Sequence, residues 1–148
     1  VEPLTLEFAS LTTFSRSNQR SRIYSGHFAR LPLAQYVFPG LVHRWQESAP
    51  PELARLVQIE RVERYLEDEG VVISDYDLKP HQLRFTTHTQ PGFVGTCTYD
   101  LRGPDDVEQA TEETPLTARQ QIWLLGQLAF YCGIGYKTAM GMGQVRSI

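Results

Sequence analysis

Residues 114–148 read TPLTARQQIWLLGQLAFYCGIGYKTAMGMGQVRSI, and the order of signals in this stretch decides the fold. Thr114-Pro115 sets a capping residue before a proline at a first helical position, and Thr117 with Gln120 offers a second start of the capping-box kind. From Leu116 to Cys132 the apolar residues keep helical spacing: Ala118, Ile122, Leu125, Ala129 and Cys132 form one stripe, with Leu124, Leu128 and Tyr131 beside it. Gly133 ends the run as a C-terminal cap glycine does. Two Gly-x-Gly steps follow, Gly133 with Gly135 and Gly141 with Gly143, bracketing the single lysine Lys137; Gly143 to Ile148 then has room only for a closing strand. The stretch therefore predicts a helix, a glycine-rich loop and a last strand, in that order.

Working upstream, Phe93 to Tyr99 after Pro91-Gly92, the alternation around Leu83 and Phe85, and Val71-Val72-Ile73 are β-like and form a meander or hairpin. Before them, Glu52 to Glu69 repeats apolar residues at helical spacing through Leu53, Leu56, Ile59, Val62 and Leu66. Leu33 to Ser48 places Leu33, Val37, Leu41 and Trp45 four apart, with Pro39-Gly40 expected to bend or interrupt that helix and Pro50-Pro51 to close it. Ser15 to Gly26, rich in Ser and Arg, reads as a loop. Leu4, Leu6 and Phe8 alternate with Thr5 and Glu7 as in a half-buried strand that runs into Leu11-Thr12-Thr13-Phe14. The order β-α-β-β-α-β predicts an α+β, ferredoxin-like (RRM-like) domain over residues 1–148, with the glycine-rich loop between its last helix and last strand.

The length of 148 residues suffices for one core, since a chain of this size buries about 68–70% of its unfolded surface. No apolar run approaches the roughly 18 residues of a membrane span, and Val1-Glu2-Pro3-Leu4 lacks the start of a signal peptide, so no membrane partner is expected. Cys97 and Cys132 have no partner in CxxC spacing and read as small core residues in a reducing, cytoplasmic setting. The net charge of −3 is unevenly spread: Phe14 to Arg30 holds Arg16, Arg20, Arg22 and Arg30 with no acid, and Tyr131 to Ile148 holds Lys137 and Arg146 with no acid. Two acid-free basic segments on an otherwise acidic chain suit a polyanion bound on one face.

The glycine-rich loop does not match the familiar phosphate-binding signatures. A dinucleotide fingerprint follows a strand and opens a helix, the reverse of the order here, and no GxxxxGK is present. What remains is a loop whose glycines permit positive φ and let phosphates approach backbone N–H groups, with Lys137 supplying charge, or simply a helix cap and a tight turn. Among the histidines, His27 lies in the basic segment and has the chemistry of an acid or base; His43 adjoins Trp45; His81 and His88 lack ligands in metal spacing. No cofactor or metal is expected. Trp123 and Phe130 are assigned to the core, and Tyr136 either stacks on a base or packs against the sheet.

The run YCGIGYKTAMGMGQVR resembles the C-terminal glycine-rich signature of the repeat-associated RNA-binding superfamily, in particular the Cas6 family of CRISPR precursor-RNA-processing endoribonucleases. SLTTFS, LPLAQYVFPGLVHRW, VVISDYDL and QPGFVGTCTYDL match in the same order. The resemblance implies that this chain is the second of two tandem ferredoxin-like domains, the first lying before Val1, and that Gly133, Gly135, Lys137, Thr138, Gly141 and Gly143 contact CRISPR repeat RNA. Arg16, Arg20 and Arg22 are expected to join them. It also implies metal-independent cleavage in crRNA maturation, a part of antiviral defence: the ribose 2′-hydroxyl attacks the adjacent phosphate with help from a histidine that normally lies in the first domain. By this resemblance the chain supplies the RNA-binding half and its own catalytic residues stay unassigned; the alternative is a non-catalytic guide-RNA-binding subunit of a CRISPR effector complex, with effector proteins as partners.

Overall fold

The computed structural model describes residues 2–17, 23–103 and 111–148. Strand β1 (Leu4–Thr12) buries Leu4, Leu6 and Phe8 and turns Thr5 and Glu7 the other way, as its alternation requires. Two short strands follow, β2 (Phe14–Arg16) and β3 (His27–Ala29), paired antiparallel so that Arg16 faces His27. They lie within and beside the segment read as one loop, because short exposed strands carry too few residues to show a period.

Helix α1 (Ala34–Ser48) runs on through Pro39. Val37, Phe38, Leu41 and Val42, on both sides of the proline, are buried together, and this packing outweighs the one helical bond that Pro39 cannot donate. The segment read as one helix from Glu52 to Glu69 is instead split into α2 (Pro51–Ala54) and α3 (Ile59–Glu67). At the break, Gln58 N–H donates to Oε1 of buried Gln121, and Gln121 Nε2 donates to Gln58 Oε1. That tertiary pair replaces a helical bond and lets Val57 enter the core.

Strands β4 (Val71–Arg84) and β5 (Thr89–Leu101) form one long hairpin, paired from Val71 with Leu101 to Arg84 with Thr89. Helix α4 (Ala118–Cys132) starts with the expected capping box, Thr117 accepting from Gln120 N–H and Gln120 returning to the Thr117 N–H. A 3-10 turn at Thr138–Met140 and strand β6 (Val145–Ser147) complete the chain.

The sheet order is β4-β5-β1-β6, all neighbours antiparallel, and with the helices on one face this is the ferredoxin-like arrangement. The core between the layers joins β1 and β5, through Phe93, Cys97 and Tyr99, to α1 and α4, through Ile122, Leu125 and Ala129. Burial pushes the Cys97 thiol and the Tyr99 phenol up from their ordinary values. Tyr99 keeps its proton and donates it to Pro32 O at 2.6 Å. Both cysteines are free, Cys97 buried and Cys132 half-buried. Phe130, expected in the core, is 61% exposed and packs edge-on to Tyr131, because it falls on the outer side of α4, away from the sheet. No helix among the described residues is long and apolar enough to cross a membrane.

Candidate nucleic-acid interface

The glycine-rich loop folds back on itself and is stitched to the end of β1. Gly133 N–H donates to Ala129 O at 2.8 Å and closes α4, while Ile134 N–H donates to Gly143 O at 2.9 Å and joins the two glycine steps. Residues 9–13 form the cradle. Gly143 N–H donates to Leu11 O at 2.8 Å and Tyr136 N–H to Thr13 O at 2.9 Å; Ser10 Oγ donates to Gly141 O and accepts from Gln144 N–H. Ile134 and Met142 are buried and anchor the loop from below.

This folding explains the glycines. All four have positive φ, and a Cβ on Gly143 would stand 2.0 Å from Ile134 O. Gly133 and Gly135 likewise approach the protein's own backbone, at Gly143 O and Thr13 O. Gly141 differs: its φ is +86°, but nothing lies within 4 Å of the position its Cβ would take. Lys137 also has positive φ, +56°, although it is not glycine. In the 3-10 turn, Met140 N–H donates to Lys137 O at 3.0 Å and Gly141 N–H to Thr138 O at 3.2 Å.

Arg44 clamps the loop from the other side. From the third turn of α1, its Nη1 donates to Cys132 O and to Gly133 O, at 3.0 Å for the latter, and its Nη2 lies 3.4 Å from Gly135 O and from Thr138 Oγ1. A cation at these carbonyls also offsets the negative end of the α4 dipole. Nothing in the sequence marks Arg44 for this role, because the contact joins residues about ninety positions apart. Arg44→Gln is expected to leave those carbonyls underbonded, costing about 1–3 kcal/mol. Thermal melting reads the loss, and Arg44→Lys, which keeps the charge but not the fork, is expected to recover only part of it.

The remaining basic groups gather around this frame. Lys137 Nζ lies 5.2 Å from the ring centres of both Tyr136 and Phe85. Phe85 stacks on His88 at the hairpin tip, and Tyr136 packs on Phe28 of β3, so Tyr136 turns back onto the protein. Arg16 holds its guanidinium over the Tyr36 ring at 4.6 Å, and the exposed His27 sits across the strand pair from it. Between β2, α1 and the loop lies a cavity of about 260 Å³. A second, of about 220 Å³, brings Arg30 beside Lys79 and His81 under the hairpin.

Sequence reasoning missed the hairpin tip. From Lys79 to Tyr99 there is no acid, but there are Lys79, His81, Arg84 and His88, a third acid-free basic segment that a charge count along the chain exposes. The structure brings together Arg16, the loop residues and this tip. His43 stays exposed on α1, and Arg20 and Arg22 lie outside the described residues, as does most of the acidic loop before α4. Among the described residues no group of three or more His, Cys, Asp or Glu side chains is placed to hold a metal ion.

The open face of the sheet is of a different kind. Thr5 is paired with Thr98, and Glu7 lies between Thr96 and Arg146, with Arg146 Nε 2.7 Å from Glu7 Oε1. These central positions offer threonines and an ion pair, not the stacking aromatics with which RNA-recognition sheets read bases.

Comparison with known proteins bears on this arrangement directly. The model of the CRISPR-associated endoribonuclease Cas6 family matches residues 6–145, from β1 to β6. The product complex of Cas6 (TTHB231) from Thermus thermophilus superposes with a TM-score of 0.73 at 25% sequence identity, covering 99% of this chain and 51% of that one. A substrate mimic complex of Cas6 (TTHA0078) gives a TM-score of 0.64 at 31% identity, with 99% and 53% covered. The chain thus spans about half the length of the solved relatives it matches. No curated protein matches it in sequence. A family model that runs through every strand of the sheet and through the glycine-rich loop leaves one assignment, and the chain belongs to the Cas6 family of CRISPR-associated endoribonucleases.

Proposed function

We propose that this chain is the RNA-binding half of a CRISPR repeat endoribonuclease, and that it grips the repeat on the side where the glycine-rich loop meets the hairpin tip. The observation that carries this reading is the position of Lys137 between Tyr136 and Phe85, which joins the loop's positive charge to the hairpin tip that carries Arg84. Lys137 and Arg16 hold phosphates as charged donors, while Thr138 and the N–H groups at the start of the 3-10 turn add neutral ones. Gly133, Gly135 and Gly143 serve by shaping the loop, and Gly141 leaves its outer surface low. Arg20 and Arg22, outside the described residues, add charge to the same acid-free segment as Arg16. The solved relatives include a product complex and a substrate mimic complex of Cas6, and they support RNA as the ligand.

Cleavage belongs to the whole enzyme in this reading. The chain spans about half the length of its solved relatives. Incubated in chelator with 5′-labelled repeat RNA, this chain is expected to bind without releasing a discrete product. A single cut that disappears in His27→Ala would move the active site to β3 and overturn the division of labour. No binding to any repeat RNA, under low salt as well, would overturn the RNA reading itself.

A further inference from the structure

Gly40 stands in the interior of α1, where glycine destabilises a helix relative to alanine. Its backbone does not require glycine, since its φ is not positive, and nothing lies within 4 Å of where its Cβ would be. Neither tight packing nor a turn accounts for it. What the missing side chain does leave open is one wall of the 260 Å³ cavity between α1, β2 and the glycine-rich loop.

The rest of that cavity has a consistent character. Val37 and Leu41 line it with apolar surface from α1, Tyr36 adds a ring covered by the Arg16 guanidinium, and Gly135 and Tyr136 close it from the loop. It is smaller than the roughly 300–1,000 Å³ that drug-sized ligands occupy. A flat cation held on a ring, apolar walls and backbone polar groups at the edge are what proteins offer to a base removed from its stack. The cavity also adjoins the loop that carries Lys137, so a base inside it and a phosphate on that lysine belong to one strand.

We propose that this cavity receives a single unstacked nucleobase of the bound RNA, and that Gly40 keeps it open. The inference rests on the RNA-binding reading above and adds to it a position of base recognition. It makes an unusual combination of expectations: substitutions at Gly40 that improve the helix weaken the binding.

The experiment uses repeat RNAs in which one nucleotide at a time is abasic, titrated against the parent chain, Gly40→Ala and Gly40→Leu. With the parent, one position is expected to lose about tenfold in affinity while its neighbours change little. Gly40→Leu, which fills the cavity, is expected to bind intact RNA about tenfold more weakly and to lose nothing further on the RNA abasic at that position. Both variants are expected to melt no lower than the parent, Gly40→Ala higher. 2-Aminopurine at the same position is expected to change its fluorescence with the parent and not with Gly40→Leu. If Gly40→Leu binds intact RNA as the parent does, or if no single abasic position matters to the parent, the cavity holds no base. A parent that binds no repeat RNA overturns the RNA reading and this one together.

Discussion

Gly143→Ala is expected to lower the stability of the chain by about 3 kcal/mol, at the upper end for strained positions. Two causes add. At φ +67° an alanine Cβ is disfavoured by the backbone itself, and at this site it would stand 2.0 Å from Ile134 O, a distance no packing adjustment of side chains relieves because the obstacle is backbone. Relief requires breaking the Ile134 to Gly143 bond, which closes the loop, or the Gly143 to Leu11 bond, which fixes it to β1. For a chain of this size the melting temperature is expected to fall by about 6–12 °C. Gly141→Ala is the internal comparison. Its φ is as positive, yet its surroundings are empty, so it carries the backbone cost alone, about 1 kcal/mol. Equal melting of the two variants would show that steric closure of the loop is not what requires glycine at 143.

Lys137→Gly is expected to separate stability from binding in the opposite direction. Lysine at φ +56° is strained where glycine is not, so the variant is expected to gain up to about 1 kcal/mol of stability. The same change removes the cation between Tyr136 and Phe85 and is expected to weaken repeat RNA binding about tenfold, with the slope of log affinity against log salt reduced by about 0.7–0.9. With Arg16→Ala added, the loss is expected to reach about a hundredfold, with a second decrement in the slope. Arg64→Ala, in the charged face of α3, is expected to leave both affinity and slope unchanged. Titrations of labelled repeat RNA at several salt concentrations, run beside melting curves, read all of these. A Lys137→Gly chain that is more stable and binds as before would remove Lys137 from the interface. A strained lysine that a more stable residue could replace is otherwise left without a reason.

The site was legible in part, and the division follows the range of the interactions. That the loop between the last helix and the last strand is unusual was plain from four glycines around one lysine. That Gly133, Gly135 and Gly143 serve approach of protein to protein was not, because the backbone they meet belongs to Gly143, Thr13 and Ile134, brought there only by the β1–β6 pairing and the fold of the loop. The basic hairpin tip shows the same limit. Its charges are in the sequence, but their relevance depends on Phe85 reaching Lys137 across fifty residues of chain.

Local interactions determined the rest. The alternation of Leu4, Leu6 and Phe8, the capping box at Thr117 and the glycine stop at 133 are set within a few residues by backbone hydrogen bonding and by which side faces water, so the sequence alone determined a β-α-β-β-α-β order and hence the ferredoxin-like fold. Tertiary structure decided what one-dimensional patterns leave equal in energy. Pro39 stays inside a helix because the core holds both of its flanks, α2 parts from α3 because Gln121 takes the Gln58 N–H, and Arg44 turns from a surface arginine into the clamp of the loop because the end of α4 brings the Cys132 and Gly133 carbonyls within its reach. In each case the deciding partner lies outside the window in which a period or a cap can be read, and only packing brings it within bonding distance.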